Sequence, residues 1–204
     1  MDNNIVLYGA SGHCKVIIDV LESNGLIIGS IIDDAPKSDI LGFKVLNSEN
    51  YCFSVEEKMI LSIGNNQVRK KLAEKLNVTF VKAIHSKATV SKYSSIGEGT
   101  VVMAGVVVNP EVSIGVHCII NTGAVIEHDC KINDFAHISP NVSLAGGVEV
   151  GEGSQVGIGA SVLQGVKIGK WAVVGAGAVV IRNVPDFAVV VGNPGRVLKI
   201  KSDE

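Results

Sequence analysis

Residues Val150–Val180 read VGEGSQVGIGASVLQGVKIGKWAVVGAGAVV. Aliphatic residues recur there at every sixth position: Val150, Val156, Val162, Ile168, Val174 and Val180. The register runs back without a slip through Leu144, Ile138, Ile132, Ile126, Ile120, Ile114, Val108, Val102, Ile96 and Val90 to Ile84. Two residues before each lies a second column that is small or β-branched, from Ala88 through Cys118, Ala124 and Cys130 to Ala178. A period of six matches neither the 3.6-residue helix nor simple strand alternation. It fits a parallel β-helix in which three short strands close one triangular coil of 18 residues. The large aliphatic points inward and the small residue fits where the corner crowds the interior. Glycine often follows the aliphatic, as in Val150-Gly151 and Val156-Gly157, and we expect it to supply unusual backbone angles at the corners. At roughly 4.8 Å per coil the prism is about 25 Å long. Its open ends expose strand edges and call for caps.

Residues 1–83 lack the repeat. Ile5-Val6-Leu7-Tyr8 reads as a strand, followed by the turn Gly9-Ala10-Ser11-Gly12-His13 and a helix with Val16, Ile17, Val20 and Leu21 on one face. Ile27 to Ile32 is a second strand ending at Asp33-Asp34. This is a βαβ unit with a glycine turn at a helix N-terminus and an acid about twenty residues on. Met59 to Ile63 is a further strand, and Asn65 or Asn66 caps a helix carrying Val68, Leu72 and Leu76. Gly9 and Gly12 let phosphate oxygens approach backbone N–H groups. Asp33 or Asp34 could accept hydrogen bonds from a ribose or a base. The turn is not G-x-G-x-x-G and the unit is short, so a mononucleotide fits better than a dinucleotide. The expected organisation is a Rossmann-like unit at 1–83, a β-helix at 84–184 and a C-terminal tail at 185–204.

Composition narrows the partners. The net charge of −2 argues against nucleic acid or a membrane surface, and 47% hydrophobic residues suffice for a core. No run of about 18 apolar residues occurs and no signal peptide opens the chain, so it reads as cytoplasmic. The cysteines Cys14, Cys52, Cys118 and Cys130 form no C-x-x-C pair, and His117, His128 and His137 do not stack, so no metal is expected. Acidic residues dominate 93–165. Lys167, Lys170, Arg182, Arg196, Lys199 and Lys201 make the end basic, which suits a polyphosphate cofactor such as coenzyme A.

One spot interrupts the aliphatic register. In Ala124–Ile132, AVIEHDCKI, three ionisable residues, Glu127, His128 and Asp129, stand between two inward rungs. The register of 18 stacks Gly146 over His128. Asp129 is close enough to orient the imidazole and raise its basicity. A glycine N–H beside it can stabilise an oxyanion. This is a candidate general base, its orienting acid and an oxyanion donor. Glu127 has no evident role.

Five segments in order, YGASGHCKVIIDV, IDD, SIGNNQVRKKL, NTGAVIEHDCKI and VVVGNPGRV, resemble those of the bacterial nucleotide-sugar acetyltransferases. The likeness is strongest to enzymes acting on UDP-linked 4-amino sugars, and sialic acid O-acetyltransferase-like proteins share the layout. The resemblance implies a left-handed β-helix, a homotrimer with the site between subunits, and acetyl transfer from acetyl-CoA to a sugar amine. It implies His128 as base, Asp129 beside it, and Gly146 holding the thioester oxygen. Gly9, Ser11, Gly12, His13, Asp33, Asp34, Gly64 and Asn65 match the nucleotide end, and Asn121 and His137 match further polar positions. On the cofactor side we place His137, Gly146, Lys170, Gly175 and Arg196. Alternatives are a GDP-linked amino sugar, a sialic acid hydroxyl, and a non-catalytic nucleotide-sugar scaffold.

Overall fold

The computed structural model describes residues 4–36 and 38–202. Strand β1 (Asn4–Tyr8) leads into α1 (Gly12–Glu22), then β2 (Ile27–Asp33) and β3 (Val45–Asn47). Strand β4 (Lys58–Leu61), helix α2 (Asn66–Lys75) and β5 (Thr79–Phe80) complete a parallel sheet of order β3-β2-β1-β4-β5. The strand order reverses direction between β1 and β4. The crevice outside their C-terminal ends is therefore the switch point of an open α/β sheet. Gly9 follows β1 there, and Ser62 to Asn65 follow β4.

Two helix faces differ from expectation. Val16 is 38% exposed, and Cys14 and Ile18 are buried in its place. The reason is that α1 packs on two sides, against the sheet and against Ala83, Val101, Met103 and Ile119 of the β-helix. In α2, Val68 is 44% exposed and Arg69 is buried instead. Asn65 provides the cap, its side chain accepting from Val68 N at 3.0 Å.

From Ala83 the chain winds as a triangular parallel β-helix of two-residue strands. The first face runs from Thr89–Val90 to Val179–Val180, and the second from Ser95–Ile96 to Lys167–Ile168. The third begins at Ala83–Ile84. Each strand pairs with the residues 18 later, for example Ile126 with Leu144 and Leu144 with Val162. The inward aliphatics from Val102 to Val180 are buried in one continuous core. Two buried hydroxyls sit in the small-residue column without disrupting it. Thr100 Oγ1 donates to Gly115 O (2.8 Å) and accepts from Cys118 N (2.9 Å); Ser154 Oγ donates to Gly169 O and accepts from Ala172 N (2.9 Å).

The corners share one backbone device. Every sixth residue from Gly99 to Gly177 has positive φ, three places after each inward aliphatic. Glu111, His117, Asp129, Phe135, Asn141 and Trp171 adopt it as well as the glycines. The glycines directly after the aliphatics do not, which corrects the reason expected for them. A Cβ at Gly151 would lie 2.5 Å from Lys170 N, and one at Gly157 2.6 Å from Val174 O. They are small because neighbouring coils touch there.

Beyond Val180 the coil tightens: Val173 pairs with Val189 and Ile168 with Val184, two residues short of the earlier offset. Strands Ala188–Val191 and Arg196–Ile200 extend the third face and close this end. At the other end Ile84, Val90 and Ile96 are only partly buried.

Candidate active site

The first corner, between the first and second faces, carries His128. Its backbone is held by the next coil at two points: Glu127 N donates to Leu144 O at 3.0 Å and His128 O accepts from Gly147 N at 2.9 Å. Asp129 occupies the left-handed position (φ 61°), an arrangement Asp tolerates better than most residues. Its Oδ2 lies 2.7 Å from His128 Nδ1. The Nδ1–H donates to this carboxylate, which leaves the Nε2 lone pair outward. Both side chains are exposed. The hydrogen bond to Asp129, joined by the charges of Asp129 and Glu127, holds the imidazole above its ordinary pKa. Glu127, unassigned from sequence, thus adds to the basicity of His128.

Gly146 makes room for this arrangement. A Cβ there would lie 2.6 Å from His128 Cε1 and 2.8 Å from Nε2. Among the described residues its N–H has no hydrogen-bond partner. Nucleophilic catalysis by the nearby thiol is disfavoured. Cys130 is buried, its Sγ directed at Ala145 O (3.2 Å), and burial raises its pKa. Cys118 is pushed up to about 12 by burial.

The same corner continues along the prism as Gln164 and Arg182, each one coil further. Ala145, Leu163 and Ile181 run alongside. Arg182 lies three coils from His128, about 14 Å at 4.8 Å per coil. Arg182 and Arg196 together line a cavity of about 200 Å³. Composition shows Arg182 only as part of a basic end; its column in the repeat is what aligns it with His128. Lys170 lies on the second corner, its Nζ over the Phe187 ring (5.6 Å), so it does not share the edge of His128 and Arg196.

Gly175 lies on the third corner, in a cavity of about 410 Å³ with Asn121, His137, Ser139, Gln155 and Gly157. Asn121 Nδ2 is 3.2 Å from His137 Nε2. His13, at the start of α1, faces His137 with ring centroids 6.5 Å apart. Burial, then the charge of Arg69, lowers His13 to about 4; the same causes, with His13, lower His137 to about 3. Both rings are neutral at pH 7.

At the sheet end, Gly9 has φ 109° and its missing Cβ would meet Ile63 Cγ1 at 2.8 Å. Ser62 Oγ donates to Tyr8 O at 2.9 Å, tying β1 to β4. Ser11 is the N-cap of α1 without a side-chain cap bond, and Gly12 begins that helix. Asp33 serves the turn itself, its two oxygens accepting from Ala10 N (2.8 Å) and Ala35 N (2.9 Å). Asp34 accepts from the hydroxyls of Tyr8 and Ser48 and lines a cavity of about 680 Å³ with Phe53, Lys75 and Asn77. Gly64 and Asn65 join Gly9 and His13 at the crevice. One chain does not bring this end to His128. The N-terminal unit covers the third face, and in a triangular prism that face lies opposite the first corner.

Residues 4–76 match the family described as the PglD N-terminal domain, and residues 147–182 match the bacterial transferase hexapeptide (six repeats). A solved mutant of perosamine N-acetyltransferase from Caulobacter crescentus, in complex with CoA and GDP-perosamine, is 38% identical. The similarity covers 96% of this chain and 97% of that one, with a TM-score of 0.90. The chain belongs to the nucleotide-sugar N-acetyltransferase family. Another member, the acetyltransferase domain of PglB from Neisseria gonorrhoeae FA1090 in complex with acetyl coenzyme A, is 34% identical. It covers 97% of this chain and 100% of that one, TM-score 0.90. UDP-N-acetylbacillosamine N-acetyltransferase of Bacillus subtilis (strain 168) is 41% identical over 111 residues. That match spans 50% of this chain and about half, 51%, of the relative. Among the described residues no group of three or more His, Cys, Asp or Glu could hold a metal ion. No helix among them is long and apolar enough to cross a membrane.

Arg69 is the residue least visible in the sequence. It is a charged residue sharing the α2 face of Leu72, Ala73 and Leu76, and docking of that helix onto the prism buries it.

Proposed function

We propose that the protein transfers the acetyl group of acetyl-CoA to the 4-amino group of a nucleotide-linked amino-deoxy sugar, a UDP-linked one being favoured. The observation that carries this reading is the His128–Asp129 pair packed on the bare backbone of Gly146. The sugar amine attacks the thioester carbonyl. His128 Nε2 takes the amine proton, while Gly146 N–H receives the developing oxyanion. The C–S bond breaks, the thiolate of CoA takes a proton, and the amide is released. The buried thiols of Cys118 and Cys130 favour direct transfer over an acyl-enzyme. The donor arm follows Ala145, Leu163 and Ile181 towards Arg182 and Arg196, whose charges suit its phosphates. The UDP preference is supported by the 41% identity to the Bacillus enzyme, and a GDP-linked acceptor by the fuller match to the Caulobacter one.

The site is completed by a second copy in a homotrimer. The outward residues of the first face, Thr89, Val107, Val125, Ser143, Ser161 and Val179, carry no charge. The second face bears the ion-paired ladder Lys131, Glu149 and Lys167, and the third lies partly under the N-terminal unit. If the first face turns to a threefold axis, the His128 corner of one copy meets the Asn121–His137 corner of the next. The test is acetyl-CoA consumption against UDP- and GDP-linked 4-amino sugars and free sialic acid. Turnover should be fastest with a nucleotide-linked amine, slower with the free amino sugar, and fall about 10²–10⁴-fold in His128→Ala. Mixed trimers of His128→Ala with His137→Ala should regain activity that neither has alone. Near-normal turnover by His128→Ala, or binding of the nucleotide sugar without thiol release, refutes the assignment.

A further inference from the structure

Arg69 is 1% exposed and heads the fully buried side chains. All five of its N–H groups find acceptors, and none is a carboxylate. Nε donates to His117 O (2.9 Å), and Nη1 to Ile63 O (2.8 Å) and Gly64 O (3.4 Å). Nη2 donates to Asn66 Oδ1 (2.8 Å) and Phe135 O (2.9 Å). The guanidinium fork is thus fully used. Burial lowers its pKa only to about 10, so the buried group stays charged at pH 7.

These acceptors belong to two different parts of the molecule. Ile63 and Gly64 form the turn after β4 and Asn66 opens α2, at the crevice of the α/β sheet. His117 and Phe135 occupy the second corner on adjacent coils, and each stands two residues before a strand of the third face. His137, on the wall of the 410 Å³ cavity, follows Phe135 by two residues. One planar, rigid group therefore joins the crevice to the cavity wall. A Lys ammonium has three donors on a flexible stem and cannot reproduce the fork.

We propose that Arg69 is a positioning residue: it fixes the Ile63–Asn66 turn against the Phe135–His137 segment, so that a substrate held by its nucleotide at the crevice delivers its sugar to the His13–His137–Asn121 cavity in register. This rests on the proposed function. A second consequence concerns the rings beside it. His13 faces Arg69 and His137; His137 faces Arg69 and His13; His117 faces Arg69 and Asp134. Burial keeps these rings neutral, and the Arg69 charge adds to that effect, so His13 and His137 meet a sugar as neutral hydrogen-bonding groups.

The test compares Arg69→Met and Arg69→Lys with the wild type in two measurements. In the first, turnover is measured on the nucleotide-linked amino sugar and on the same amino sugar without its nucleotide. A misplacement of about 1 Å costs about 10²-fold. Arg69→Met should therefore lose about 10²-fold in kcat on the nucleotide-linked acceptor. Its turnover of the free sugar and its KM for acetyl-CoA should hold. Arg69→Lys, which keeps the charge, should fall between. In the second, the imidazole signals of His13 and His137 are titrated by NMR; their midpoints should rise in Arg69→Met and move less in Arg69→Lys. Equal loss on both acceptors, or a lowered Tm with both kinetic ratios and midpoints unchanged, overturns the proposal. If the wild type acetylates neither acceptor, the function reading fails, and unmoved midpoints in Arg69→Met then overturn the placement of Arg69 by themselves.

Discussion

Replacing Gly146 by alanine adds one methyl at the point where the proposed chemistry depends on its absence. The new Cβ would sit 2.6 Å from His128 Cε1, 2.8 Å from Nε2 and 3.2 Å from Nδ1. Ordinary carbon contacts lie near 3.5–4 Å, so the ring must retreat by about 1 Å. The side chain of His128 is 63% exposed, so it can move at little cost. Gly146 is not among the positive-φ residues, so alanine brings no left-handed strain there and restricts the unfolded chain, worth about 0.4–1 kcal/mol of stabilisation. Stability should hold while kcat falls about 10²-fold, the cost of a 1 Å misplacement of a catalytic group. The neighbouring Gly147→Ala is the control. Its φ is 69° and its nearest contact is Gly165 Cα at 4.0 Å, so it strains the backbone by about 1–2 kcal/mol without touching the ring. It should lower Tm and keep turnover per folded molecule. The assay is thiol release from acetyl-CoA with saturating acceptor, beside thermal unfolding of each variant. Wild-type kcat in Gly146→Ala would refute the packing argument, as would its collapse in Gly147→Ala at a temperature where that variant is folded.

Other outcomes follow from the same geometry. The base must be neutral to act, and Asp129 holds its pKa above 6.5, so kcat/KM should rise with pH through a midpoint above that value. Asp129→Asn should move the midpoint down, which a pH–rate profile will read. Arg182→Ala should raise the KM for acetyl-CoA about 10-fold with kcat little changed, as expected for loss of one charge-assisted contact of about 1.5 kcal/mol. Lys170→Ala, on another corner, should leave it unchanged in the same initial-rate assay. Cys130→Ala should keep its turnover and lose about 1 kcal/mol of stability to the cavity, measured by urea unfolding.

The prism is legible in the sequence because its order is one-dimensional. Each coil repeats the same local demands, so Ile126, Leu144 and Val162 announce their stacking by spacing alone. The His128 corner inherits that clarity: the offset of 18 by itself sets Gly146 against His128. Legibility ends where the decisive contact comes from a distant element. Helix α2 shows an amphipathic face, yet the prism it docks against buries Arg69 and leaves Val68 outside. Val16 is exposed for the same kind of reason. Strand β3 leaves no sequence signal because its three residues, Val45–Asn47, are too few to show alternation. Lys170 and Arg196 look alike as positive charges near the end of the chain, although the repeat sets Lys170 on the second corner and the closing strand Arg196–Ile200 brings Arg196 beside Arg182.

The separation between His128 and Arg182 is a whole number of coils, and that has a consequence for evolution of the donor preference. Length along this edge cannot be tuned continuously. Removing or adding one 18-residue coil between the two would shift the cation by about 4.8 Å and leave every side chain around both of them in register. The edge is a ruler with a fixed graduation, and a relative that accepts a donor with a longer or shorter arm would have to change by one whole mark.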